Sequence, residues 1–136
     1  MWNGSATRSE NSLTALPLLA GLLFLLPACA HGGDGSVRLL VQSSPLAGFR
    51  YHAAAEVWED LHVGDPLELV REPENGFDRN AIRVTWHGRK LGYVPRRENA
   101  ALAWGLDRGE RLRARISRLV AHPNPARRIE FEVYIE

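Results

Sequence analysis

The chain has 136 residues, 45% of them hydrophobic and 24% charged, with a formal net charge of +1. That is room for one domain of ordinary size and excludes a chain disordered throughout. A single cysteine, Cys29, excludes an internal disulfide and a cysteine-built zinc site, and five scattered histidines with no i,i+4 pair offer no metal-ligand spacing.

Residues 13–28 (LTALPLLAGLLFLLPA) form an apolar run. It is shorter than the roughly 20 residues that span a bilayer, and it suits the apolar region of an export signal. Leu26-Pro27-Ala28-Cys29 resembles a bacterial lipoprotein processing site, with Cys29 as the lipidated residue. The same segment reads alternatively as an uncleaved anchor, an ordinary signal, or a start placed upstream of the true one. Residues 1–29 are therefore expected to be a targeting or anchoring segment, and residues 30–36, rich in Gly, a flexible tether. A real segment would put the protein at the cell envelope, tethered to the membrane; without it the protein would be cytoplasmic.

Residues 37–136 are expected to fold as the domain. Val37–Gln42 reads as a first strand, broken by Ser43-Ser44-Pro45. Ala53–Leu61 reads as a short helical turn with Val57, Trp58 and Leu61 on one side. Gly64-Asp65-Pro66 is a turn, and Leu67–Arg71 alternates as a half-buried strand. Residues 72–80 form a polar loop whose Asn and Asp residues suit turns. Ala81–Trp86 and Lys90–Val94 form a hairpin across His87-Gly88, stopped by Pro95. Arg97–Gly105 is a short helix. Leu112–Val120 and Arg128–Ile135 alternate as the last two strands.

About six short, regularly spaced strands with one or two short helices predict a mainly β fold, a small OB-like or SH3-like barrel. Charge is uneven along the chain: net −6 over residues 34–78, +10 over 79–128 and −3 over 129–136. This predicts either one positive and one negative face or interleaved halves that neutralise each other. No P-loop, metal-ligand cluster or nucleophile elbow is present, so no enzymatic activity and no cofactor are expected.

The pieces Gly48-Phe49-Arg50-Tyr51-His52, Gly64-Asp65-Pro66-Leu67 through Arg71-Glu72-Pro73 and Asn75, Phe77-Asp78 through Asn80-Ala81-Ile82 and Val84, and Leu91-Gly92-Tyr93-Val94-Pro95 together resemble the HIRAN family. Where the usual pattern has Pro, this chain has Gly76. The resemblance implies a compact β-barrel related to OB-folds that captures the 3′ end of single-stranded DNA; a monomer is expected. It implies a phosphate contact and a stacking ring at Arg50 and Tyr51, with His52 where a second aromatic can stand. It implies contacts to the terminal sugar from Asn75 and Asp78, with Phe77 and Asn80 beside them. Tyr93 takes an aromatic or His position, and Arg96 a phosphate-facing one. Each has a structural alternative: Asn75, Asp78 and Asn80 as turn caps, Tyr93 as a strand aromatic, Arg50-Tyr51 as a brace, and the later arginines as a solvated face. A second expectation, drawn from the export segment, is an envelope lipoprotein whose barrel binds a peptide or another ligand.

Overall fold

The computed structural model describes residues 37–136. The apolar run at 13–28, Cys29 and the 30–36 tether lie outside the described residues. Among those described, no helix is long and apolar enough to cross a membrane.

The described chain is mainly β. Its strands are β1 (Leu39–Pro45), β2 (Pro66–Arg71), β3 (Ile82–Trp86), β4 (Arg89–Tyr93), β5 (Leu112–Leu119) and β6 (Ile129–Ile135). One α-helix, α1 (Ala100–Asp107), lies between β4 and β5, and single 3₁₀ turns occur at Phe49–Tyr51, Trp58–Asp60, Arg96–Glu98 and Pro125–Arg127. All strand pairs are antiparallel, in the order β1-β6-β5-β2-β3-β4.

The expected barrel does not close strand to strand. Its two edges are tied by one bridge, in which Ala47 and Tyr93 exchange backbone hydrogen bonds of 2.9 Å each. Leu46 still bonds Ile129 of β6, so the chain leaves one edge and reaches the other within one residue. The seam requires Gly92, because a β-carbon there would collide with the carbonyl oxygen of Ala47.

β1 also differs from expectation. It runs through Ser43-Ser44-Pro45 rather than stopping there, pairing with Glu132, Phe131 and Glu130. Proline is tolerated because β1 is an edge strand, where a missing N–H need not leave a ladder bond unmade. Ser44 is buried, and its hydroxyl accepts a 2.6 Å bond from Gln42. Between Val84 and Thr85 the β3–β4 register slips by one. Such a bulge re-aims side chains, and both residues are buried despite the alternation of the sequence. The hairpin turn has positive φ at His87 (47°) and Gly88 (76°), the conformation that matches strand twist in two-residue loops.

The core is formed by Leu46, Phe49, Val57, Leu67, Ile82, Val84, Leu91, Leu102, Ile116, Ile129, Phe131 and Val133, with contributions from β2 to β6 and the helix, while β1 adds only the buried Ser44. The strongly basic β5 does not make a positive face. Arg115 pairs with Glu132, Arg118 with Glu130 and Arg113 with Glu136, so β6 and the residue after it neutralise β5 across the sheet.

Candidate functional site

The polar loop between β2 and β3 is closed by its own side chains. Glu72 N–H donates to the Ala81 carbonyl, and Ala81 N–H to that of Asp78. The Asn75 carboxamide oxygen accepts from the N–H groups of Phe77 (2.9 Å) and Asp78 (3.2 Å). One Asp78 oxygen accepts from Asn80 N–H at 2.9 Å. Asn75 and Asp78 are therefore turn-forming residues, as one reading of the sequence had it.

They are also tied outward. Asn75 Nδ2 donates to Glu72 Oε2 at 3.1 Å, and the Tyr93 hydroxyl donates to the same oxygen at 2.9 Å. Lys90 Nζ donates to that hydroxyl at 2.6 Å and lies 4.3 Å from the Tyr93 ring centroid. The second Asp78 oxygen accepts from Asn99 Nδ2 at 2.7 Å, and Asn99 is only 1% exposed. Below the loop, Arg71 donates to the carbonyls of Arg79 (3.1 Å) and Ala81 (2.9 Å) and forms a two-toothed pair with Asp107 at the end of α1.

Bonding capacity remains. Asn75 Nδ2 has a second N–H, and each Asp78 oxygen has a further lone pair. Asn75, Phe77, Asp78, Asn80 and Arg96 line a hollow of about 280 Å³ together with Gly76 and Arg79. A second hollow of about 290 Å³ shares Asn75, Phe77, Asp78 and Arg96 and adds Tyr93, Val94, Ala47 and Ala81. Six of the nine expected residues are thus together. His52 meets Tyr93 edge to face, with ring centroids 5.6 Å apart. Arg50 and Tyr51 line a separate, third hollow with Phe49, Asn124, Pro125 and Ala126. The Ala47–Tyr93 bridge makes it a neighbour of the second, because residues 47–51 run from one to the other.

Two aromatic rings stand out in water here: Phe77 is 91% exposed and Tyr51 83%. Arg38, Arg71, Arg83, Arg89, Arg108, Arg113, Arg115 and Arg118 all face carboxylates. Arg50, Arg79 and Arg96, which line the hollows, have no acidic partner among the described residues; nor do Arg97, Arg111, Arg127 and Arg128.

Among the described residues three groups are shifted from their ordinary values, and for Asp107 the hydrogen bond from Arg71 lowers the carboxyl below 3.8. Burial and then the Lys90 charge push the His52 imidazole below 6.5, against a weaker opposite pull from Glu72. Burial lifts the Glu72 carboxyl, but hydrogen bonds from Asn75 and Tyr93 and the charges of Lys90 and Arg83 outweigh it, so the net shift is downward from 4.5. Among the described residues no group of three or more His, Cys, Asp or Glu side chains could hold a metal ion.

Sequence reasoning missed Glu72, Lys90 and Asn99. Glu72 stands inside the quoted Arg71-Glu72-Pro73 run and could have been found there. Asn99 precedes α1 where a capping residue stands, yet its side chain makes no cap bond and turns to Asp78 instead.

The sequence model of the HIRAN domain matches residues 39–136. A crystal structure of a protein from Lactobacillus plantarum is similar, with 28% identity and a TM-score of 0.64 over 73% of this chain and 95% of that one. The crystal structure of the HIRAN domain of human HLTF is similar in fold, with 19% identity and a TM-score of 0.55 over 72% of this chain and 78% of that one. No curated protein matches the chain. Because the family match spans every strand from β1 to β6, the chain belongs to the HIRAN domain family.

Proposed function

We propose that this chain is a nucleic-acid-binding module that holds the 3′ end of single-stranded DNA in the hollows between the 72–80 loop and β4. The observation that carries the reading is the exposed Phe77 ring beside Arg79 and Arg96 around Asn75 and Asp78, with the exposed Tyr51 ring beside Arg50 in the neighbouring hollow, none of these arginines having an acidic partner among the described residues. Single strands bind by stacking on aromatic faces, roughly 1–3 kcal/mol per base, and by cations along the backbone. Phe77 and Tyr51 supply the faces; Arg50, Arg79 and Arg96 supply the charge.

Asp78 supports the choice of end. A carboxylate repels a phosphate but accepts a hydrogen bond from a free hydroxyl. Its spare lone pairs suit the terminal 3′-hydroxyl, with the free Asn75 N–H as the matching donor. The arrangement suits binding rather than catalysis: among the described residues the Asp78 carboxylate is bonded to a backbone amide and a carboxamide, with no histidine or second acid beside it.

Fluorescence anisotropy of the full chain with a labelled oligonucleotide ending in a 3′-hydroxyl or a 3′-phosphate tests this. The hydroxyl end binds more tightly, and Asp78→Ala removes most of that preference. Phe77→Ala weakens both ends by about 5- to 150-fold, the range of one lost stacking contact. Equal affinity for the two ends overturns end capture, and no binding at all leaves the hollows to a peptide or other ligand.

A further inference from the structure

A fourth hollow lies beyond the first three, about 390 Å³ in volume and lined by Trp58, Ala121, His122, Pro123 and Arg128. Every polar side-chain group it offers is a donor. Arg128 Nε is spent on the His122 carbonyl at 2.7 Å, which leaves the two terminal guanidinium nitrogens without a partner among the described residues. Arg128 also makes no ion pair there, although it is half-buried and lies 5.1 Å from the Phe49 ring centroid.

His122 has its tautomer fixed. Asn124 N–H donates to Nδ1 at 2.9 Å, so Nδ1 carries the lone pair and the neutral ring holds its proton on Nε2. The Trp58 indole N–H makes no hydrogen bond among the described residues. Three donor groups, one of them a permanent cation, and no carboxylate make a site for an anion with several oxygens.

Its position says which anion. Ala47 lines the second hollow, Gly48 to Tyr51 line the third, and Phe49 meets both Trp58 (ring centroids 5.8 Å apart) and Arg128 of the fourth. The hollows are strung along one short segment. We infer that the Trp58–His122–Arg128 hollow receives an internal phosphodiester of the same single strand, several nucleotides from the captured end. This rests on the nucleic-acid reading above and extends its footprint to the far side of the 122–128 loop.

The test compares two labelled oligonucleotides with identical 3′ ends, about 4 and about 12 nucleotides long, both within the range of site sizes of single OB-type folds. Anisotropy is read at several salt concentrations with the full chain, its R128Q variant and its R128K variant. Wild type binds the longer strand with a steeper salt dependence. R128Q loses affinity for the longer strand alone and flattens its slope of log K against log salt by about 0.7, one phosphate contact on a single strand. R128K keeps the charge and most of the slope. A separate variant, His122→Ala, leaves Arg128 in place and weakens the longer strand more mildly. If R128Q and wild type share affinity and slope on both lengths, the inference falls while end binding stands. If R128Q weakens both lengths equally, Arg128 supports the fold and the inference falls too. If wild type binds neither strand, the nucleic-acid reading itself fails and takes the inference with it.

Discussion

Glu72 gathers much of the site's chemistry at one atom, its Oε2, which accepts from both Asn75 and Tyr93. Its partners stabilise the ionised form, and this has a sign in pH. A carboxyl held below its unfolded value contributes stability that is present above 4.5 and is lost as pH falls through the folded value. His52 acts in the same direction for a different reason. Its imidazole is held below 6.5, so the unfolded chain takes up this proton first, and acidification from that value draws the equilibrium toward unfolding. The expected result is a melting temperature that is flat above pH 6.5, falls on acidification, and falls again below pH 4.5. His52→Gln should remove much of the first decline and leave the second. A Tm series across pH for the two proteins checks this, and an unchanged first decline in the variant would refute the assignment.

Arg71 shows how elements hold the 72–80 loop in place. It ends β2, reaches two carbonyls of the 72–80 loop and its far junction, and grips the end of α1 through Asp107. These contacts differ in weight. The Asp107 side chain is about half exposed, so the ion pair is screened and worth little. The carbonyl bonds come from a largely buried guanidinium, and charge-assisted bonds of this kind contribute about 1.5–3 kcal/mol each. Arg71→Ala should therefore destabilise the domain by about 2 kcal/mol or more, and Asp107→Asn by well under about 1 kcal/mol. Urea melts of the two variants separate these outcomes, and amide exchange near residues 79–81 should quicken in the first alone.

The elements themselves were largely legible. Alternation marked β2, β3, β5 and β6, and His87-Gly88 marked the hairpin, because period and turn chemistry are local properties. The path of β1 through Pro45 was not legible, since a proline at an edge differs from one at a break only in what lies beside it. The burial of Thr85 beside Val84 was not legible for the same reason: a bulge belongs to a pair of strands, not to one. Within the site, residue types fixed the loop and its Asx turns. The separation of Arg50-Tyr51 from Asn75-Asp78 depends on the Ala47–Tyr93 seam, which joins residues far apart in sequence. The charge asymmetry was visible, but its cancellation by β6 required the cross-strand register.

At the scale of the whole molecule the seam is the feature on which the site depends. One two-way bridge ties the sheet edges and sets the second and third hollows side by side. Gly92→Ala forces the backbones apart, with an expected cost of at least about 1–3 kcal/mol, the range of an overpacked core. Oligonucleotide affinity should fall more than end preference, because Asp78 and Asn75 stay in their loop while Tyr51 moves away from them. Equal loss of both would show that the bridge holds the loop as well as the edges. The register of β1 against β6 has a mechanical consequence. Leu39 faces Ile135, so the two ends of the described domain leave from the same pole. Ladder bonds run perpendicular to antiparallel strands. Tension between those ends therefore loads the β1–β6 bonds one after another, as a zip opens, and β1 peels from Leu39 toward Pro45. The pull reaches Ala47 last. Under load, the domain sheds its edge strand first, and the tie between Ala47 and Tyr93 parts last.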